Sequence, residues 1–237
     1  MIASLRPFEA EPAGSQPPYD FPAYTSTIKR APKRPLIHVA HSLSEITGPT
    51  FGANWNEPSA SDLTRQGKSE PLGERIILEG RILDGDGRPV RGTLLELWQA
   101  NSAGRYTHER DQHDAPLDPN FRGAGHAITD NDGAFRFLTI KPGAYPWRNS
   151  HNAWRPAHIH FSVFGAGFAS RLITQMYFPG DPLLALDPIY NSIPDAGARE
   201  RLISRYDPDL SESEYALGYR FDIVLRGPKS TPLENRT

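Results

Sequence analysis

The sequence predicts an all-β protein, an antiparallel β-sandwich with long loops, one or two short helices and an extended N-terminal arm. The 237 residues include 23 prolines and 20 glycines, which favour short strands joined by shaped loops over a helical bundle. Several short runs of β-branched and aromatic residues, each bounded by Gly, Pro or Asp, follow one another without alternating helical segments.

The predicted elements start at residue 75. Residues 75–83 form the first expected strand, and the Asp-Gly-Asp-Gly run at 84–87 supplies the turn that follows it. Further strands are expected at residues 93–98, 134–140, 157–164, 172–178 and 219–225, and one helix at 196–203. Strands at this spacing indicate two packed antiparallel sheets.

The first 70 residues have a different composition. They are rich in proline, serine and polar residues, and residues 28–35 form a basic stretch broken by prolines. Such a segment becomes ordered when it lies across its own domain or a partner. We therefore expect residues 1–70 to form an arm that packs on the core and on a partner subunit. Residues 71–237 then form the β-sandwich domain.

Composition excludes several functional classes. The formal net charge of −2 gives no reason to expect a nucleic acid or an anionic membrane as partner. The absence of cysteine excludes disulfides, thiolate metal sites and cysteine nucleophiles. The N-terminus lacks the apolar core of a signal peptide, and no apolar run reaches the length of about 18 residues that a membrane span needs. The expected location is the cytoplasm.

A histidine pair in one predicted strand indicates a metal site. Residues i and i+2 of a strand point to the same face, roughly 6–7 Å apart. His158 and His160 can therefore converge on one metal while Ile159 and Phe161 face the core. Alone the pair is a weak signal, because such pairs often lie on a surface and imidazole suits several metals, zinc among them.

Two loop tyrosines are further candidates. Tyr106 lies in a glycine-containing loop after the strand at 93–98, and Tyr145 lies in a loop stiffened by two prolines. On general grounds each is an amphipathic filler with a solvated hydroxyl. As a phenolate ligand it would need a strongly charged Lewis acid, because the ordinary pKa of tyrosine is about 10. Two tyrosines with two histidines would indicate Fe(III), although periodicity does not establish that pairing.

Several ordered motifs resemble the intradiol ring-cleavage dioxygenases. They are ELWQAN at 96–101, GRY at 104–106, LDPNF at 117–121, TIKPG at 139–143, YPWRN at 145–149, WRPAHIHF at 154–161 and YRFDIVLRG at 219–227. The arm adds SEITGP at 44–49 and PAY at 22–24. The resemblance implies a β-sandwich enzyme with one non-haem Fe(III) per chain, which opens a catechol ring between its two hydroxylated carbons with O2.

The resemblance also assigns four iron ligands. It implies that Tyr145 and His160 are the axial pair, and that Tyr106 and His158 are equatorial beside a solvent hydroxide. Tyr145 is further implied to be catalytic, because its phenolate leaves the metal and takes up a proton of the substrate.

The same resemblance implies the residues around the substrate. Arg155 matches an arginine close to the bound catechol, where it would stabilise negative charge on the ring. The other implied substrate contacts are Tyr24, Trp147, Arg148 and Gln175.

The proline-rich arm favours the family members that cleave protocatechuate to 3-carboxy-cis,cis-muconate in the catabolism of aromatic compounds. Members that cleave catechol or hydroxyquinol, the alternative substrates, carry a helical N-terminal dimerisation segment instead. The protocatechuate type pairs with a paralogous α subunit that lacks the iron ligands, in αβ units of a larger oligomer. This chain keeps all four ligand positions, so it resembles the iron-binding β type.

Two readings from other functional classes remain open at this point. A zinc hydrolase could use His158 and His160 together with a carboxylate such as Asp118 or Asp130. A non-catalytic β-sandwich carrier would hold the same histidines without a metal. Both readings predict a colourless protein.

Overall fold

A computed structural model describes residues 10–37, 58–147, 154–165 and 171–235. The described residues form eleven strands: β1 Arg75–Leu83, β2 Leu94–Gln99, β3 Ala124–Ile128, β4 Ala134–Ile140, β5 Tyr145–Pro146, β6 Trp154–Arg155, β7 His158–Phe164, β8 Arg171–Tyr177, β9 Arg205–Tyr206, β10 Leu217–Arg220 and β11 Ile223–Val224. They also form two short α-helices, α1 Ser26–Arg30 and α2 Ala196–Glu200. The 3₁₀ turns are Pro58–Ser61, Leu63–Arg65, Pro182–Leu186 and Tyr190–Ser192.

The first sheet is built around β1. Strand β4 pairs antiparallel with β1 along almost its full length, with Ile76 opposite Thr139. On its other edge β1 pairs in parallel with β10 and then with β11, and β9 extends the sheet beyond β10. The parallel pairing joins strands at the two ends of the domain sequence.

The second sheet is antiparallel throughout, in the order β3-β2-β7-β8. Trp98 of β2 and Gln175 of β8 lie opposite His160 of β7, one on each side. A separate two-stranded ribbon, β5 with β6, places Tyr145 opposite Arg155. The sheet and the ribbon together bring the candidate residues to one side of the domain.

The core lies between the two sheets, as expected for a sandwich. Phe161 of β7 contacts Phe135 and Phe137 of β4, with ring centroids 5.9 and 6.4 Å apart. It also stacks on Phe221 at 5.7 Å with an interplanar angle of 16°. Complete burial of one such phenylalanine contributes about 1.5–3 kcal/mol. The prediction of a mainly antiparallel β-sandwich is confirmed.

The predicted strands are present within one residue of their expected bounds except the last, the helix is shorter than expected, and strands β3, β5, β6 and β9 were not predicted. The expected strand at 219–225 is divided into β10 and β11, because the Asp222 carboxylate accepts the hydrogen bond of the Arg81 N–H at 2.8 Å in place of a backbone carbonyl. The expected helix at 196–203 ends at Glu200, because the next residues pair with the end of β8. There the Tyr177 N–H donates to Leu202 O.

The described part of the arm contacts the rest of the chain through Gln16, which bonds Leu233 and Ser230, and through Tyr24, whose ring lies beside that of Trp147. The division of the chain at residue 70, and the packing of residues 1–70 on a partner, stay predictions. None of the helices among the described residues has the length and hydropathy needed to cross a bilayer.

Candidate metal centre

Strand β7 presents the two histidines on the face opposite the core. Ile159 and Phe161 belong to the core cluster, whereas the rings of His158 and His160 lie together on the other face, with centroids 4.8 Å apart. The alternation expected for a strand is thereby confirmed. Both histidines are buried, with exposed fractions of 1% and 8%.

The Tyr106 loop leaves β2 through a tight turn. The Asn101 side chain accepts from the N–H groups of Ala103 and Arg105, which closes the turn. Gly104 has a φ of +76°, and a Cβ at this position would lie 2.2 Å from the carbonyl oxygen of Ala144. Only glycine lets the two loops approach this closely. The approach brings Tyr106 next to Tyr145.

Four side chains thus converge. The rings of Tyr106 and Tyr145 meet edge to face at 5.3 Å, and Tyr106 lies 6.4 Å from His160 between ring centroids. The Tyr145 hydroxyl is 3.2 Å from Nε2 of His158. The structure therefore brings together all four residues for which the sequence suggested a role as metal ligand.

Hydrogen bonds fix the tautomer of both imidazoles. Nδ1 of His158 donates to the carbonyl oxygen of Pro156 at 2.7 Å, and Nδ1 of His160 donates to Oε2 of Glu234 at 3.0 Å. A proton on Nδ1 leaves the Nε2 lone pair available, which is the usual arrangement in histidines that bind metals. Burial, followed by the charge of Arg155, holds the pKa of His158 well below its usual value, so this ring is neutral.

The phenol oxygens are suited to a cation. The Tyr106 hydroxyl is buried and has no hydrogen-bond partner among the described residues, which costs about 1–3 kcal/mol in the absence of a ligand. Burial and then the neighbouring Tyr145 phenol hold the pKa of Tyr106 well above its usual value. Burial also raises the pKa of Tyr145, an effect that Arg155 opposes. Ionisation of such phenols needs a strong Lewis acid, and this donor set fits Fe(III).

Carboxylates do not complete a metal site with these histidines. In the part of the chain that the structure describes, no group of three or more His, Asp or Glu side chains is placed to hold a metal. Asp118 accepts from the N–H groups of Leu72 and Asn120, and Asp130 caps the turn before β4. The zinc hydrolase reading is therefore unsupported, and the carrier reading leaves the convergence of the two tyrosines unexplained.

Arg155 lies at the Nε2 edge of His158. Its Nη1 donates to Nε2 of His158 at 3.0 Å, and its Nη2 donates to Gln175 at 2.6 Å and to Tyr177 at 3.1 Å. Nη2 also forms an ion pair with Asp187 at 2.8 Å. Although burial acts to lower it, Asp187 and the nearby tyrosines hold the pKa of Arg155 well above its usual value, so a fixed cation borders the site.

A cavity of about 930 Å³ opens beside three of the four residues, and His158 is not part of its wall. Its wall includes Tyr106, Tyr145, Trp147 and His160, together with the loop of residues 107–114. Trp147 lies 5.2 Å from Tyr24 between ring centroids, and the Arg155 guanidinium carbon lies 5.2 Å from the Trp147 ring.

Two predicted substrate contacts, Gln175 and Arg148, are not among the described residues that line this cavity. Gln175 is fully buried behind Arg155, to which it offers its side-chain oxygen, and it does not form part of the cavity wall. Arg148 lies outside the described residues.

Three residues of this region have no signal in the sequence that predicts their position. Trp98 stacks on His160 at 4.8 Å with an interplanar angle of 8°, and Asp187 and Glu234 bind Arg155 and His160. The position of Trp98 follows only from the pairing of β2 with β7. The two carboxylates come from distant segments, so no local spacing indicates them.

Two family models match the chain. One, described as "Dioxygenase", matches residues 46–227. The other, described as "Protocatechuate 3,4-dioxygenase beta subunit N terminal", matches residues 8–42. Together they cover the arm and most of the sandwich domain.

Curated relatives agree with these matches. The protocatechuate 3,4-dioxygenase beta chain of Burkholderia cepacia is 60% identical over 222 residues, which are 93% of this chain and 94% of that protein. The protocatechuate 3,4-dioxygenase alpha chain of Pseudomonas putida is 32% identical over 200 residues, 83% of this chain and 90% of that protein. The hydroxyquinol 1,2-dioxygenase of Rhizobium sp. (strain MTP-10005) is 32% identical over 177 residues, 70% of this chain and 55% of that protein.

Solved structures show the same fold. The 3-chlorocatechol 1,2-dioxygenase of Rhodococcus opacus 1CP is similar with a TM-score of 0.55 and 25% identity, over 75% of this chain and 69% of that chain. The catechol 1,2-dioxygenase of Pseudomonas arvilla C-1 gives a TM-score of 0.53 and 26% identity, over 75% of this chain and 60% of that chain.

Proposed function

The chain belongs to the intradiol ring-cleavage dioxygenase family, and from this membership we propose that it cleaves protocatechuate (3,4-dihydroxybenzoate) with O2 to 3-carboxy-cis,cis-muconate. The observation that carries the proposal is the convergence of two half-buried tyrosines and two histidines protonated at Nδ1, three of which line one cavity. The substrate class rests on the 60% identity to a protocatechuate 3,4-dioxygenase beta chain over nearly the whole length of both proteins.

Tyr106, Tyr145, His158 and His160 would hold one non-haem Fe(III) per chain. Bound Fe(III) supplies a Lewis acid that ionises the phenol ligands and activates a catechol toward O2. The two donors that now reach Nε2 of His158, from Arg155 and Tyr145, occupy the direction that the metal needs. A metal bound at Nε2 would take the place of these two hydrogen bonds.

Tyr145 is the proton acceptor in this proposal. Its hydroxyl lines the cavity and lies on the short ribbon β5–β6, outside both sheets. A phenolate at this position can take a proton from a catechol hydroxyl, because burial raises the pKa of the Tyr145 phenol and favours its protonated form.

Arg155 stabilises the negative charge that develops on the ring. The cation is fixed before the substrate arrives, since Asp187 and Gln175 hold the guanidinium at 2.8 and 2.6 Å. A preorganised charge of this kind needs no rearrangement during the reaction. Trp147 lies between this cation and Tyr24 of the arm, and the two rings would exclude water and orient an aromatic substrate.

The proposed partner is a paralogous α chain. Similarity to protocatechuate 3,4-dioxygenase alpha chains, at 32% identity, supports a pair of related subunits. Trp154 of β6 and Leu186 of the neighbouring 3₁₀ turn are exposed by 46% and 56%, close to the ribbon that carries Tyr145. Large apolar side chains in such positions are typical of an interaction surface.

The test is a visible spectrum of the chain produced together with its α partner. Phenolate-to-Fe(III) charge transfer should colour the protein red-brown, and 3,4-dihydroxybenzoate added without oxygen should shift the band. A shift with catechol or hydroxyquinol but not with 3,4-dihydroxybenzoate would overturn the substrate. A colourless protein would overturn the metal centre. The His158→Ala variant, which removes one candidate ligand, should lose the charge-transfer band. Its matched control is His126→Ala, which removes a histidine outside the four candidate ligands and should keep the band.

A further inference from the structure

The C-terminal segment, defined here as residues 227–235, follows the last strand and is held beside β8. The Thr174 hydroxyl donates to Pro232 O at 2.7 Å, and the Glu234 N–H donates to Ile173 O at 2.9 Å. The Thr231 N–H donates to Val224 O at 2.8 Å, and the Thr231 hydroxyl accepts from the Val224 N–H at 2.9 Å. These bonds leave the backbone around Glu234 little freedom.

Gln16 of the N-terminal arm closes over the same segment. Its side-chain oxygen accepts from the Leu233 N–H at 2.8 Å, and its Nε2 donates to the Ser230 hydroxyl at 3.4 Å. Gln16 is 8% exposed and Ser230 is fully buried. The residue before Glu234 is therefore fixed by a side chain from the opposite end of the sequence.

The carboxylate of Glu234 then meets the edge of His160. Oε2 of Glu234 accepts from Nδ1 at 3.0 Å, while Trp98 covers the face of the imidazole at 4.8 Å. Tryptophan sets the plane of the ring, and the carboxylate sets its rotation within that plane. The exposed fractions of the two side chains, 10% for His160 and 16% for Glu234, leave little water to compete for this bond.

The two histidines differ in the group that accepts the hydrogen bond from Nδ1. Nδ1 of His158 donates to a neutral carbonyl two residues away, whereas Nδ1 of His160 donates to an anion 74 residues away. A carboxylate that accepts the Nδ1–H bond makes Nε2 of the imidazole a stronger electron-pair donor to a metal than a neutral carbonyl does.

We propose that Glu234 is the positioning residue for His160: it fixes the Nδ1–H tautomer, aims Nε2 into the metal centre and strengthens His160 as a ligand. The inference rests on the proposed function, because it assigns the bond a role toward the iron. It makes the C-terminal segment, clamped by the arm, part of the metal centre.

The test compares Glu234→Gln and Glu234→Leu with the wild type in the complex with the α chain. Glutamine keeps the shape and an acceptor oxygen but removes the charge, and leucine removes the acceptor as well. Glu200→Gln, which removes an exposed carboxylate on α2, is the control for charge alone. The readouts are iron content, the rate of iron loss to a chelator, and the energy of the charge-transfer band, with far-UV circular dichroism to verify folding.

Loss of a partner of this kind typically weakens metal binding 10–100-fold. We expect iron loss to be about 10-fold faster in Glu234→Gln and about 100-fold faster in Glu234→Leu. The band should move to lower energy in both, because a weaker nitrogen donor leaves the iron a better acceptor. If Glu234→Leu does not fold, the band and the rate of iron loss of Glu234→Gln decide the test, and wild-type values of both overturn the inference.

The inference fails if folded Glu234→Gln and Glu234→Leu both keep the wild-type band and the wild-type rate of iron loss. It also fails if Glu200→Gln changes these quantities as much as Glu234→Gln does. A colourless wild type would instead overturn the proposed function, so the two failures are distinguishable.

Discussion

Arg155 and Asp187 form an ion pair at 2.8 Å, and the exposed fractions of their side chains are only 3% and 0%. Asp187 also accepts from the Ile189 N–H at 2.8 Å, so its carboxylate is fixed to the turn that follows it. Because Arg155 in turn contacts His158, the pair connects this turn to the candidate metal centre. The same ion pair therefore contributes to the stability of the fold and to the position of His158.

Removal of the Asp187 carboxylate should therefore lower the free energy of unfolding. In Asp187→Ala the Arg155 cation stays buried without its anion, and breaking such a pair from one side costs about 3–5 kcal/mol. Denaturant unfolding of the metal-free protein measures the loss. The control is Asp86→Ala, which breaks an exposed pair with Arg88 at 3.0 Å and should cost about 0–1 kcal/mol. Equal losses in the two variants would contradict the prediction.

The hydroxyl of Tyr106 should have opposite effects on the metal-free and metal-loaded protein. Tyr106→Phe removes a buried hydroxyl that lies near the Tyr145 phenol but has no well-formed hydrogen bond among the described residues, so the free energy of unfolding without metal should rise by about 1 kcal/mol or stay unchanged. Iron content and the charge-transfer band should both fall. Tyr177→Phe is the comparison, because that hydroxyl donates to Gln175 and accepts from Arg155. Its loss should destabilise the metal-free protein, by about 1 kcal/mol.

Gly104 should be essential for the centre. Gly104→Ala places a Cβ 2.2 Å from Ala144 O, so the Tyr106 and Tyr145 loops must separate and the protein should lose its iron. Gly92→Ala is the matched control. Its φ of +65° imposes similar backbone strain, about 1–2 kcal/mol, but a Cβ there meets nothing within 4 Å. Thermal unfolding and iron content of both variants separate strain from loop contact, and a full iron content in Gly104→Ala would disprove the role.

Arg155 should affect turnover more than metal binding. Arg155→Lys keeps a positive charge but loses the planar fork that reaches His158 and Asp187 together. We expect iron to be retained and kcat to fall by about 10²–10³-fold, the usual effect of losing one fixed charge-stabilising group. Single-turnover kinetics under O2 measure the change. An unaltered kcat would place the substrate away from Arg155.

Local composition, bounded by turn residues, predicted the longer strands of the first sheet well. Strands β1 and β4 have the bounds expected from the sequence, because their branched and aromatic residues face the core. Strand β3, with the sequence AGHAI, was not predicted because small residues carry little strand preference. The break at Asp222 depends on a contact with Arg81, 141 residues away, and no window of sequence contains it.

The same limit applies to the candidate site. The HxH spacing of His158 and His160 predicted their common face, because strand geometry is local. The pairing of Tyr106 with Tyr145 came from family resemblance, since two loops far apart in sequence have to meet. Glu234 could not be predicted from the sequence at all, because its partner lies 74 residues away and its segment has no regular pattern.

The parallel pairing of β1 with β10 and β11 has a consequence for biosynthesis. β1 leaves the ribosome before β10 and β11. The edge of β1 that pairs with them therefore has no partner until residues 217–224 have been made. Contacts between such distant segments form slowly, and an open strand edge meanwhile favours misassembly. The sandwich can therefore close only after residues 217–224 have been made, and iron would load after that step rather than before it.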